Sequence, residues 1–428
     1  MNVKSVANID KKIFNVILKL KVFIHFLPDL LKGRLSVSKF TRFLKRLLFF
    51  LSKLQDNKFI KFGKYTRVNL YVPGVPSKAF YFACGKFKTF DGQFPNTTAL
   101  ISVTSACHFN CEHCYQRKDL GKDMDISKLV EIVKHLQNIG VAFFNIEGGE
   151  PFLVYERLKK VCEVIDDRSE VWINSTGDGM TVERLQELKT LNLTAVMFSL
   201  HSSDPAKLNS FMKSDKAWQT MEKGVESCHK AGIPVTFNVC LMKAGFYNGE
   251  FEKIMDRAKE FGAALIQLIN PKPAGAWLES GADKFIDEDI KKVKELVRKY
   301  NHSKEYKDYP AISAQIIEED REMYGCTAGG TDRFYINAKG DVQPCEFLNI
   351  SFGNVLEEDF QAIYERMRTN FKDPGECWLC QKYSGDINNI FKQNNLKALP
   401  LNKELSKQIY EKWDRGKKTD LYDRLGKL

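Results

Sequence analysis

The apolar positions change their period along the chain, and the changes mark out its parts. Between residues 98 and 270, short apolar runs at 99–103, 142–146, 171–174, 195–200, 235–241 and 265–269 alternate with stretches of helical period. These stretches begin near Ile126, Leu153, Thr181, Pro205, Glu250 and Asp287. Short strands alternating with helices predict a parallel sheet. Six repeats predict an α/β fold with a partial (β/α)6 barrel, two repeats short of closure, whose active site lies at the carboxyl ends of the strands.

Upstream, residues 11–54 show helical period broken at Pro28 and Gly33. In the second piece Phe40, Phe43, Leu44, Leu47, Leu51 and Leu54 share one face, with Lys39, Arg42, Lys45, Arg46 and Lys53 between them. Residues 58–72 read as a hairpin turning near Gly63, and 73–95 as a connector. Downstream, 320–390 holds short strands, glycines and four cysteines, and Leu401, Leu405, Ile409 and Trp413 mark a C-terminal helix with a basic tail. The expected domains are a basic amphipathic segment (1–56), hairpin and connector (57–97), barrel (98–305), a small cysteine-rich α+β domain (306–390), and the terminal helix and tail (391–428).

Overall composition is that of an ordinary folded protein, 43% hydrophobic and 28% charged over 428 residues, long enough for more than one domain. The placement of charge is less ordinary. Residues 1–70 carry twelve Lys and four Arg against Asp10, Asp29 and Asp56, a charge of +13 within a chain total of +11. A basic amphipathic segment fits an anionic membrane surface, where apolar burial and attraction to headgroups add. The alternative is a helix packed on the body of the protein. No nucleic-acid partner is expected, because a phosphate-binding arm has little use for a continuous apolar face. No cleavable signal peptide is evident, and the apolar stretch 13–27, interrupted by Lys19 and Lys21, is short for a membrane span. Eleven cysteines, seven of them in two clusters, point to metal or redox chemistry in a reducing compartment. The protein is therefore expected in the cytoplasm, peripheral on the inner face of the membrane.

The first cluster directly follows the first barrel strand, in "SVTSACHFNCEHCYQR" (102–117), where Cys107, Cys111 and Cys114 form C-x3-C-x2-C. Three thiolates are one short of a closed tetrahedral metal site. A cubane iron–sulfur cluster held by three Cys leaves one iron open to an exogenous ligand, the logic of a catalytic centre. The other reading is a zinc knuckle with a distant fourth ligand.

The stretch "CHFNCEHCY" resembles the C-x3-C-x-Φ-C signature of the radical S-adenosylmethionine (SAM) superfamily, with His113 at the position that is usually aromatic. The resemblance implies a [4Fe–4S] cluster whose open iron is chelated by SAM. It also implies reductive cleavage of SAM to a 5′-deoxyadenosyl radical, which abstracts hydrogen from an unactivated C–H bond. A one-electron reductant such as flavodoxin or ferredoxin is implied as partner. At the second strand, "EGGEP" (147–151) resembles the segment that holds the SAM amino group, which assigns that role to Gly148, Gly149 and Glu150. Asn174, Ser175 and Thr176 after the third strand, Ser199 after the fourth, Asn238 in the fifth, and Ile266 or Gln267 in the sixth are weaker candidates for SAM contact. Ordinary strand-end capping is an equal reading of each. The catalytic residue stays unknown, with His201 a weak candidate.

The second set, Cys326, Cys345, Cys377 and Cys380, together with "INAKGDVQPC" and "SFGNVLEEDF", resembles the C-terminal SPASM/twitch extensions of radical SAM enzymes. No further cysteine follows Cys380, so the resemblance is to the shorter twitch type with one auxiliary cluster, expected as [4Fe–4S]. An all-thiolate zinc site is the alternative. The expected substrate is a membrane lipid or lipid-linked molecule, on the strength of residues 11–54. Alternatives are maturation of a ribosomally made peptide or protein and, in another class, a non-catalytic iron–sulfur electron carrier.

Overall fold

A computed structural model describes residues 4–88, 97–280, 282–371 and 374–428 of the protein. Residues 89–95 of the expected connector lie outside the described residues. Strands β1 (Ser5–Val6), β2 (Phe59–Phe62) and β3 (Tyr65–Arg67) form a small antiparallel sheet, with the β2–β3 hairpin turning where expected. The six apolar runs become β4 (Thr98–Ser102), β5 (Phe143–Glu147), β6 (Glu170–Ser175), β7 (Leu193–Ser199), β8 (Val235–Cys240) and β9 (Leu265–Ile269). They lie parallel and side by side in chain order.

This α/β sheet does not stop at six strands. β10 (Ala311–Ala314) adds parallel to β9, β11 (Arg333–Ile336) adds parallel to β4, and β12 (Val342–Gln343) completes the nine-stranded sheet as an antiparallel edge. The division expected after residue 305 therefore cuts the sheet, and the cysteine-rich region shares it. Both added strands are brief and carry polar residues, Ser313 and Arg333, that break the apolar run.

The hairpin plugs the amino-terminal end of the curved sheet. Ile60 and Phe62 bury against Phe143, Trp172, Ala195, Met197, Leu265 and Ala311, residues of β5, β6, β7, β9 and β10. Phe62 stacks on Trp172 with centroids 5.3 Å apart. Arg67 fixes the plug: fully buried, it pairs with Glu170, donates to the Val72 carbonyl at 3.0 Å, and lies 4.7 Å from the Trp172 ring. Glu170 also accepts from the Gly74 N–H at 2.6 Å. Removing one partner of a buried pair strands the other charge, so Arg67→Met is expected to cost about 3 kcal/mol or more, read from denaturant midpoints.

A second buried carboxyl ties the connector to the C-terminal region. Glu318 accepts from Asn69 Nδ2 (2.9 Å) and Ser313 Oγ (3.0 Å), and burial lifts its pKa from 4.5 to about 8. The native state thus holds this proton more tightly than the unfolded chain. Its stabilisation is fully present below about pH 4.5 and lost as pH rises through about 8. Between those limits, thermal melts of the native protein are expected to fall by several degrees relative to Glu318→Gln as pH rises.

The N-terminal segment departs from expectation. Helix α1 (Asn8–Leu31) runs through Pro28, which sits in its last turn, and is followed by Gly33, a left-handed residue at φ +67°. After a short turn, α2 (Val37–Lys53) buries Phe40, Phe43, Leu47, Phe50 and Leu51 against Phe87, Tyr324 and a terminal helix, Asp420–Lys427, that supplies Leu421, Tyr422 and Leu425. Two corrections follow. The expected membrane face of α2 is covered by the protein itself, and the expected basic tail is partly helical. No helix among the described residues is long and apolar enough to cross a membrane.

Candidate active site

The loop after β4 carries the first cysteines and is stitched to the end of β5. Val103 N–H donates to the Glu147 carbonyl (2.8 Å), Gly149 N–H to Thr104 (2.7 Å) and Glu150 N–H to Ala106 (2.8 Å). This close approach explains the paired glycines: a Cβ at Gly149 would lie 2.1 Å from the Ala106 carbonyl oxygen, and one at Gly148 would lie 2.6 Å from that of Thr104. Asp123 then accepts from Thr104 Oγ1 (2.6 Å) and Ser105 N–H (3.0 Å), fixing the loop before its first cysteine.

A cavity of about 450 Å³ lies over the strand ends. It brings together Cys107, Cys111 and Cys114 with Gly148, Gly149, Asn174, Ser175, Ser199 and Asn238, and includes Thr176 and Gln267. His113 lines it too; Ile266 does not, being buried in the core. Asn174 Oδ1 and Asn238 Oδ1 are buried without a partner among the described residues. Unpaired acceptors of this kind suit a polar ligand rather than an apolar one.

Two further candidates fall outside the cavity. The Glu150 carboxylate accepts from Ser175 Oγ (2.8 Å) and Phe152 N–H (3.1 Å) through one oxygen, and from Thr176 N–H (2.6 Å) and Oγ1 (2.7 Å) through the other. Fully committed, it clips the end of β5 to the end of β6 in place of contacting a ligand directly. His201 is also buried. Its Nδ1 accepts from Cys240 N–H at 3.0 Å, its ring packs 4.4 Å from that of His113, and burial holds its pKa well below the usual value. It is a neutral packing residue, not an acid–base group of the cavity.

Sequence reasoning missed the opposite wall. Tyr115, the residue after the third cysteine, donates to Glu147 Oε1 at 2.6 Å, and Asn174 Nδ2 donates to Oε2 at 3.1 Å. Burial, reinforced by the Glu346 charge, pushes Glu147 up to about 8. Tyr71 from the connector and Arg333, Glu346 and Phe347 from the C-terminal region complete this wall. The Tyr after the motif was the one local signal; the other four depend on long-range pairing.

A second, smaller cavity gathers Cys326, Cys345 and Cys380 with Lys272, Glu319, Arg333, Phe347 and Trp378. Arg333 lies 3.7 Å from Cys345 Sγ and pairs with Glu319 (3.1 Å) and Glu346 (3.6 Å). Lys272 Nζ sits 3.5 Å from the centroid of the Trp378 ring, buried and with no hydrogen-bond partner among the described residues. Cys377 does not line this cavity: its Sγ lies 3.9 Å from Lys382 Nζ, and a Cβ at Gly416 would come within 2.7 Å of it. Three of the four expected ligands are therefore brought together. Cys84, Cys162, Cys228 and Cys240 are buried and free.

Residues 101–258 match the family model of the radical SAM superfamily, and residues 326–399 match an iron–sulfur cluster-binding domain, SPASM. The chain is a radical SAM enzyme with a C-terminal SPASM domain. Curated relatives include the AdoMet-dependent heme synthase of Methanosarcina barkeri, 22% identical over 67% of this chain and 89% of the relative. They also include the PqqA peptide cyclase of Streptomyces rochei, 24% identical over 65% and 78% respectively. Among solved structures, Streptococcus suis SuiB bound to precursor peptide SuiA aligns with a TM-score of 0.53 at 16% identity, covering 66% of this chain and 67% of SuiB. That likeness is one of fold.

A radical SAM enzyme of this type takes a [4Fe–4S] cluster, SAM and an auxiliary iron–sulfur cluster, and the residues present fit them. Burial lifts Cys107 to about 11 and Cys111 to about 12, so thiolates form there only against a positive partner, which bound iron supplies. In the second cavity the cations Lys272 and Arg333 suit the negative charge of thiolate-ligated iron. The family matches support iron–sulfur clusters over the zinc alternatives at both sites.

Proposed function

We propose that the protein modifies a C–H bond in a peptide or protein. The observation that carries this reading is the common wall of the two cavities: Arg333 and Phe347 line both. A chain segment held against the SAM site thus lies one side chain from the auxiliary site. In support, one relative is a peptide cyclase by name, and a neighbour in fold was solved with its precursor peptide. When bound, the cofactors supply a 5′-deoxyadenosyl radical and, at the auxiliary cluster, a one-electron donor or acceptor.

The chain's own residues do the rest. Gly148 and Gly149 admit SAM close to the backbone, Ser175, Ser199 and Asn238 orient its polar groups, and Asn174 serves both SAM and Glu147. The Glu147 carboxyl, pushed up by burial and the Glu346 charge, is held in the cavity wall by Tyr115 and Asn174. Cys107, Cys111 and Cys114 hold the first cluster. Cys326, Cys345 and Cys380 hold the second, with Cys377 as fourth ligand once its side chain turns from Lys382. A flavodoxin or ferredoxin supplies the electron, placing the reaction in the cytoplasm.

A lipid or lipid-linked substrate is the second reading. The face of α2 that suggested it is buried, but the outer face of α1 is apolar and exposed. The two readings separate in one assay. Anaerobically reconstituted protein, with SAM and dithionite, is offered either the peptide or the lipid fraction of source cells, and 5′-deoxyadenosine is measured above the uncoupled background. Stimulation by peptide, with a mass change in one component, is expected; stimulation by the lipid fraction alone would reverse the order.

A further inference from the structure

Helix α1 is apolar on two sides. Leu18, Val22 and Phe26 form its inner side, packed with Phe40 and Phe43 of α2, and Phe26 meets Phe43 at 4.7 Å. The outer side carries Ile13, Val16, Leu20, Ile24 and Leu31, each between 52% and 74% exposed. Recurring at intervals of three, four and seven, they form one stripe along a helix of 24 residues, about 36 Å long at 1.5 Å per residue. A stripe of this length on a water-soluble surface needs a partner. We propose that it lies in the interface of an anionic lipid bilayer, with the helix parallel to the membrane plane.

The charge around the stripe selects that occupant. At 100° per residue Lys12 and Lys19 border it on one side and Lys21 on the other, all exposed. Their stems reach along the apolar surface while their ammonium groups meet headgroups. Lys39, Arg42 and Lys45 of α2 are exposed as well. Of the two acids on α1, Asp29 is already paired with Lys88 and Arg34, leaving Asp10. A second copy of the chain on this stripe would set like charges edge to edge, whereas anionic headgroups neutralise them. Lysines within and beside the apolar run fit a helix that lies on the bilayer, and α1 is not long and apolar enough to cross one.

The docked unit is also part of the active site. The inner face of α1 shares its core with Tyr71 and Tyr324, which stack at 5.1 Å, and Tyr71 lines the SAM cavity. Docking α1 therefore sets the orientation of the cavity relative to the membrane. This goes beyond the peptide reading and does not depend on it.

Flotation of the full-length reconstituted protein tests the proposal, using vesicles of phosphatidylcholine with one quarter phosphatidylglycerol against phosphatidylcholine alone. The native protein is expected to float with the anionic vesicles, and salt to weaken this without abolishing it. Val16→Asp/Leu20→Asp/Ile24→Asp is expected to reduce bound protein at least tenfold. So is Lys12→Glu/Lys19→Glu/Lys21→Glu, which keeps the test open should the first variant fold poorly. Both are expected to keep native 5′-deoxyadenosine formation. Absence of native protein from the anionic vesicles, or equal flotation of both variants, overturns the proposal. A native dimer by light scattering that the Asp variant converts to monomer, without vesicle binding, assigns the stripe to a second copy instead.

Discussion

Replacing Cys111 with Ala is expected to reduce 5′-deoxyadenosine formation to background under anaerobic reduction, with about half of the reconstituted iron retained. The cavity leaves little room for rescue. Cys107, Cys111 and Cys114 are the thiols that line it, and the loop around them is pinned by backbone bonds to Gly149 and Glu150. Loss of one ligand from a three-thiolate set leaves two, and a cluster with two protein ligands is lost or rearranged. The retained iron belongs to the second cavity, whose cysteines are carried by separate segments. Cys162→Ala serves as control: Cys162 is a buried core residue that meets neither cavity, so its variant is expected to lose some stability and no activity. Chromatography of 5′-deoxyadenosine alongside iron analysis gives the result. Turnover surviving in Cys111→Ala would remove the first cysteine set from the chemistry.

The barrel strands were readable in advance because parallel strands buried on both faces are continuous apolar runs; β9 was placed to the residue at 265–269. The cysteines were readable because ligand spacing is local. What failed was whatever depended on distant partners. An amphipathic face looks the same whether lipid or protein covers it, and only the fold brings Tyr324 and the helix Asp420–Lys427 onto α2. Glu150 reads as a ligand in "EGGEP" until Ser175 and Thr176, on another strand end, take up its oxygens. His201 reads as a catalytic candidate until Cys240 claims its Nδ1. The wall made by Arg333, Glu346 and Phe347 exists because β11 pairs with β4, more than 200 positions earlier in the chain.

Gly149→Ala tests whether the strand end and the cysteine loop form one rigid unit. The added methyl would meet three backbone atoms, the Ala106 oxygen at 2.1 Å, the Ala106 carbon at 2.5 Å and the Ser105 oxygen at 2.7 Å. None is the free end of a flexible side chain, so the clash can be relieved only by moving the loop. That movement would break the Gly149 and Glu150 N–H bonds to Thr104 and Ala106 and shift Cys107, next in the chain. The expected result is loss of SAM cleavage by at least a hundredfold, with loss of iron from the first site and a destabilisation of about 2 kcal/mol or more. Gly385→Ala provides the contrast: it lies in the helix Ser384–Gln393, and an added Cβ there meets nothing within 4 Å. Helix propensity then makes that variant up to about 1 kcal/mol more stable and leaves its activity native. If Gly149→Ala keeps its iron and still cleaves SAM, the loop yields without cost and the paired glycines are not what holds the cysteines in register with the strand ends. If iron stays but cleavage falls, the glycines act on SAM directly, through the backbone approach that a methyl group blocks.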